Sequence, residues 1–123
     1  MIEGKVDDNL EARIELSLEL LGGDVAVIDA TIDTGYSGKL VLPRSLLEES
    51  GLPMLTLRRV MLADGTFDEW PRYDAVVLWH GVRTHVDILG SEGEILVGME
   101  LMKGSRLTID IAEGGRVEIE PFE

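Results

Sequence analysis

The sequence contains no cysteine, which excludes a disulfide framework and a thiolate metal site and fits a reducing compartment. Aromatic residues are scarce: two Trp, two Tyr and two Phe. Basic residues are also few, 11 Lys and Arg against 24 Asp and Glu, giving a net charge of −13. Such a surface repels phosphate backbones and anionic lipid, so neither nucleic acid nor membrane is an expected partner. No apolar run approaches membrane-spanning length, and no charged segment followed by an apolar stretch opens the sequence. A cytoplasmic location is the expectation.

What is present is a soluble-domain balance, 45% hydrophobic and 28% charged. At 123 residues the chain reads as a single domain over 1–123, large enough to bury a core without staples. Its 14 glycines punctuate short segments rich in Val, Ile, Leu and Thr, the pattern of a mostly β barrel or sandwich.

Ile14, Leu16, Leu18 and Leu20 alternate with Arg13, Glu15, Ser17 and Glu19, and Gly22-Gly23 turns the chain into Val25 to Ile32, a second strand mostly apolar on both faces, with Asp29 and Thr31 the exceptions. A hairpin over Leu10 to Ile32 follows. Leu40 to Leu42 is a short strand stopped by Pro43, and Ser45 to Ser50 is a short helix closed by Gly51. Leu55 to Leu62 and Phe67 to Tyr73 flank the turn Ala63-Asp64-Gly65-Thr66. Ala75 to Trp79 and Thr84 to Leu89 form another hairpin. Met99 to Lys103 reads as a second short helix ended by Gly104. Arg106 to Ile111 and Arg116 to Glu120 are the last two strands. Met54, Met61, Met99 and Met102 read as core filler, and Trp70 and Trp79 as hairpin packing, with Trp70 near enough to the preceding turn to touch a ligand.

The segment with chemical content is Asp33-Thr34-Gly35, directly after the apolar strand Val27 to Ile32. A carboxylate ending a buried strand is desolvated, which favours its neutral form. Beside a second carboxylate the pair shares one proton, so one group can activate water while the other protonates a carbonyl. By itself the tripeptide also fits an ordinary strand-end turn.

The segments Ile32-Asp33-Thr34-Gly35-Tyr36-Ser37-Gly38, Leu40-Val41-Leu42-Pro43, Val60 to Phe67, and Glu94-Ile95-Leu96-Val97-Gly98-Met99, in this order, resemble the retropepsin-like (clan AA) aspartic proteases of bacteria and archaea. Gly98 follows Asp33 by 65 residues (98 − 33), as in that family. The resemblance covers roughly Leu16 to Ile111. It implies a retropepsin-like acid protease barrel with one or two short helices. It further implies an aspartic endopeptidase that acts as a homodimer on peptide or protein substrates, without cofactor or metal.

By the same resemblance Asp33 is the catalytic aspartate, Thr34 interlocks the two subunits and Gly35 lines the cleft. Tyr36, Ser37 and Val97 would contact substrate together with the flap residues Ala63, Asp64, Gly65 and Thr66. One Asp-Thr-Gly in a chain half the size of a two-lobed aspartic protease requires a second copy. The terminal strand Arg116 to Glu120, with Val117 and Ile119 on one face, is the candidate interface. The sequence departs from the family in carrying Tyr36 where a small residue is usual and in lacking a glycine-rich flap tip. The alternative function is a non-catalytic dimerisation or peptide-binding module of the same fold.

Two other readings fail. Ala63-Asp64-Gly65-Thr66 resembles the Asp-x-Asp-Gly-Thr of haloacid dehalogenase-like phosphatases, but the nucleophile position is Leu62. His80 and His85 flank a turn with no third ligand at metal-binding spacing.

Overall fold

The structure, a computed structural model, describes residues 1–122. Ten strands and one helix follow in the order β1 (Ile2–Val6), β2 (Ala12–Glu19), β3 (Val25–Ile32), β4 (Leu40–Pro43), α1 (Arg44–Glu49), β5 (Met54–Met61), β6 (Phe67–Trp79), β7 (Val82–Ser91), β8 (Leu96–Val97), β9 (Ser105–Ile109) and β10 (Arg116–Pro121). The fold is mostly β, as the glycine-punctuated pattern predicts.

The strands form one sheet in the order β5-β6-β7-β4-β8-β3-β2-β1-β10-β9. A bridge between Leu18 of β2 and Val77 of β6 closes β6, β7, β4, β8, β3 and β2 into a ring. Beyond the ring, β5 hangs from β6, while β1, β10 and β9 continue outward from β2.

Alternation sets which side chains enter the ring. In β2, Ile14, Leu16 and Leu18 are 1%, 3% and 0% exposed, and the intervening polar residues face outward. In β6, Tyr73, Ala75, Val77 and Trp79 turn inward and join Val86 and Ile88 of β7. Each fully buried aliphatic side chain contributes about 1.5–3 kcal/mol of transfer free energy. Trp79 and Val82 pair directly because His80 and Gly81 both take positive φ, 50° and 76°. Two such residues twist a tight turn in the sense of the flanking strands.

Several expectations are corrected. In β3 the apolar pattern does not mean burial on both faces, since Val25 and Val27 are 57% and 65% exposed. Phe67 to Trp79 is one continuous strand rather than two. Met99 to Lys103 forms consecutive turns, not a helix. Its N-terminal N–H groups bond the arch, Met99 to Tyr36 (2.8 Å) and Glu100 to Gly38 (3.1 Å), but its internal bonds are one long i→i−4 bond, Met102 to Gly98 (3.4 Å), and one i→i−3 bond, Lys103 to Glu100 (3.4 Å), before Gly104 ends it at φ 85°; no repeating helical ladder forms. Of the four methionines read as core filler only Met102 is buried; Met54, Met61 and Met99 are at least half exposed.

The candidate interface strand is also reassigned. Val117 and Ile119 are fully buried within this chain, packed in the same core cluster as Val6 and Ile14, and β10 is paired on both edges, by β1 and β9. The N-terminal strand β1, absent from the sequence reading, joins β10 to the ring: it pairs with β10 on one edge and β2 on the other.

Candidate active site

Strand β8 is inserted between β3 and β4, parallel to the first and antiparallel to the second. The connection from β3 to β4, residues 33–39, therefore arches over the end of β8. Two hydrogen bonds pin this arch at its ends: the Asp33 N–H donates to the Val97 carbonyl (2.9 Å) and the Gly98 N–H donates to the Lys39 carbonyl (2.9 Å).

Within the arch the Gly35 N–H donates to Asp33 Oδ1 (2.9 Å). The Tyr36 N–H donates to the Asp33 carbonyl (3.2 Å), which tightens the turn. The Asp33 side chain is half-buried rather than sealed. Thr34 is exposed and makes no side-chain hydrogen bond among the described residues; Gly35 and Ser37 are exposed too. The three motif residues are thus held together at the rim of the ring, with the threonine hydroxyl presented outward.

Tyr36 folds back over the arch. A β-carbon at Gly98 would stand 2.5 Å from Tyr36 Cδ2 and 2.8 Å from the Tyr36 carbonyl oxygen, and would also collide with the Gly38 carbonyl. A β-carbon at Gly38 would strike the phenol end of the same ring. The Tyr36 ring leaves no room for a side chain at Gly38, and at Gly98 the ring and two backbone carbonyls together leave none. Burial raises the Tyr36 phenol above its ordinary pKa, against an opposing influence from Arg58. Val97 is fully buried and serves the site through its carbonyl, not through side-chain contact in a cleft.

The remaining predicted residues lie at the tip of the β5–β6 hairpin. Gly65 has φ 85°, the Gly65 N–H donates to the Leu62 carbonyl (3.0 Å), and the Leu62 N–H donates to the Thr66 carbonyl (2.8 Å). Asp64 Oδ1 accepts from the Thr66 N–H (2.9 Å) and hydroxyl (2.6 Å). These bonds, the hydroxyl first, hold the Asp64 carboxyl below its ordinary pKa. Asp64 thus organises the turn that a glycine-rich tip would otherwise make.

Pairing between β6 and β7 reaches only to Arg72, so from Pro71 to the tip the strand pairing is between the hairpin's own two strands, with Arg44 reaching the Glu69 carbonyl and Asp68 from outside. It carries exposed Leu55, Leu57, Met61 and Phe67. A free edge strand this apolar is a liability unless something covers it.

The chain is similar to a viral protease. The solution structure of the Simian foamy virus (mac) protease superimposes with a TM-score of 0.48 and 19% identity, over 68% of this chain and 86% of that one. No family model matches the sequence, and no curated protein sequence does.

Among the described residues, no group of three or more His, Asp or Glu side chains is placed to hold a metal, and no helix is long and apolar enough to cross a membrane. His80 bonds Ser105 (Nε2 to Oγ, 2.9 Å) at a cavity of about 750 Å3 lined also by Trp79 and Leu101. Asp33 is not among the residues of that cavity. Arg58 escaped the sequence reading. Its charge opposes the rise of the Tyr36 pKa, a relation between distant positions that no local pattern in the sequence shows.

Proposed function

We propose that two copies of this chain assemble as a homodimeric, retropepsin-like aspartic endopeptidase in the cytoplasm. The observation that carries the reading is the arch itself: Asp33 pinned to β8 through Val97 and turned by Gly35, with Thr34 open to solvent at the rim. A two-fold axis beside the arch brings a second Asp33 next to the first and gives each Thr34 hydroxyl a partner. The exposed hairpin then has something to cover.

The chemistry follows from the pair of carboxylates. Two adjacent carboxylates share one proton. The ionised one takes a proton from a water held between them as its oxygen attacks the peptide carbonyl carbon. The protonated one gives its proton to the carbonyl oxygen, forming a gem-diol. Collapse of that intermediate expels the amine, which leaves protonated, and restores the shared proton. Gly35 and Ser37 lie beside the reacting centre, and Ala63 to Thr66 close over the peptide. Tyr36 bounds the cleft through its packing on Gly38 and Gly98.

Replacing Asp33 by Asn tests this. Cleavage of a mixed peptide library between pH 3 and 7, blocked by a pepstatin-class inhibitor, disappears in the variant, while sedimentation shows the same dimer. Wild-type protein that dimerises and binds peptides without cutting them would establish the non-catalytic module instead. A monomer at working concentration overturns both readings.

A further inference from the structure

Two of the chain's three lysines and both of its histidines line one place, the cavity of about 750 Å3 beside the His80–Ser105 bond. Four stretches of chain converge there: Lys39 at the end of the arch, the turn between β6 and β7 with its flanking residues, the turns at 100–105, and Pro121 with Phe122. The walls are tied to one another. Lys39 accepts from the Gly98 N–H through its carbonyl (2.9 Å), and the bond from His80 to Ser105 (2.9 Å) joins the β6–β7 turn to the start of β9. The floor is apolar, with Trp79, Val86 and Leu101 8%, 1% and 6% exposed. Phe122 adds a second aromatic ring to the lining. A concave apolar floor with a few polar groups around it is the form of a small-molecule site.

The titratable groups of the lining are Lys39, His80, His85, Glu100 and Lys103. His80 brings no charge at neutral pH: burial lowers its pKa, and its Nδ1 is shielded from water without a hydrogen-bond partner. His85 is exposed and faces Asp74 at 4.0 Å. Among the described residues every ion pair is made by an arginine or a histidine and none by a lysine. Glu100 is likewise without an ion pair and offsets one ammonium. Two cations against one anion leave the lining positive, on a chain whose net charge is −13. A local reversal of sign draws anions to that spot.

We propose that this cavity binds a small organic carboxylate with a flat apolar body, the ring system lying on Trp79 and Leu101 and the carboxylate held by Lys39 and Lys103. The site stands apart from the peptidase reading, since Asp33 is not in its lining. The apolar floor supplies most of the affinity, because burying a ring system removes its surface from water. The two ammonium groups act as point charges and decide the sign of the ligand. Two partly desolvated ion pairs favour the acid over an uncharged analogue of the same shape by about five- to tenfold. Lys39 is the last residue of the arch, so a bound ligand touches the arch at the end away from Asp33.

The test titrates the full-length chain with naphthoate and with naphthylmethanol, an uncharged probe of the same ring system, and follows the backbone amide signals by NMR. Wild type binds naphthoate about five- to tenfold more tightly, with the largest shifts at His80, Leu101, Gly104 and Ser105. Combining Lys39→Met with Lys103→Met, which keeps the aliphatic stems, brings the ratio of the two affinities to about one. Lys103→Met alone, at an exposed side chain, lowers the ratio about two- to threefold, so the test holds even where Lys39→Met disturbs the arch. Glu100→Gln raises the ratio, because the competing carboxylate is gone. Equal affinity for the two probes in wild type, a preference that survives both lysine substitutions, or shifts centred elsewhere on the chain overturns the proposal. So does the absence of binding by either probe.

Discussion

Replacing Gly98 by Ala adds one methyl group at the place where the structure has least room for it. The new β-carbon meets two backbone carbonyls, those of Gly38 and Tyr36, and the Tyr36 ring. A ring can rotate away, but the carbonyls cannot. The Gly38 and Tyr36 carbonyls are themselves engaged by the Glu100 and Met99 N–H groups. Overpacking by a single methylene costs about 1–3 kcal/mol, and with backbone on the receiving side the upper end applies, about 3 kcal/mol. At a urea dependence of about 1.5 kcal/mol per molar, the unfolding midpoint drops by about 2 M. Gly93→Ala is the internal control, since a β-carbon there meets nothing within 4 Å, and its effect stays within about 0.5 kcal/mol. Adding Tyr36→Ala to Gly98→Ala recovers little, because the carbonyl collisions remain. Equal midpoints for the Gly98 and Gly93 variants would refute the packing account of the arch.

Two further outcomes are expected. Leu18→Ala, at a fully buried position that bridges β2 to β6, lowers stability by about 2–5 kcal/mol in the same urea assay. His80 has its imidazole pKa lowered, chiefly by burial. The unfolded chain therefore binds the proton more readily, and stability is lost as pH falls from the ordinary value of 6.5 toward the lower folded one. His80→Asn, which keeps a residue suited to positive φ before Gly81, flattens the melting temperature between pH 7 and 5.

How much was legible depended on whether the signal was local. The β2–β3 and β6–β7 hairpins follow from alternation and from turn residues with few other conformations open to them, so Ile14, Leu16 and Leu18 were assigned inward from sequence alone. The arch was also legible, because Asp33-Thr34-Gly35 and Leu96-Val97-Gly98 keep their order and spacing. Alternation shows that Val117 and Ile119 share a face but not whose surface covers it. Here the cover is the rest of the chain's own core cluster, where a second subunit was expected. Met99 to Lys103 has helical composition, yet Gly104 turns the chain after five residues, too few for a repeating helical ladder. The three exposed methionines were misplaced for a related reason. Met54 and Met61 sit on a hairpin that leaves the ring, and hydrophobicity alone does not show where a strand loses its neighbours.

The insertion of β8 between β3 and β4 also governs when the site comes into being. β3 and β4 are near neighbours in sequence, yet no direct pairing holds them together; the strand that joins them lies far downstream. Such a connection requires closing a long loop before it returns any stabilisation, which slows folding. A chain emerging from synthesis holds its Asp33 segment untethered until Val97 and Gly98 have appeared and docked. The arch is therefore among the last parts of the ring to be completed, and until then the Asp33 loop lacks the two hydrogen bonds that pin its ends.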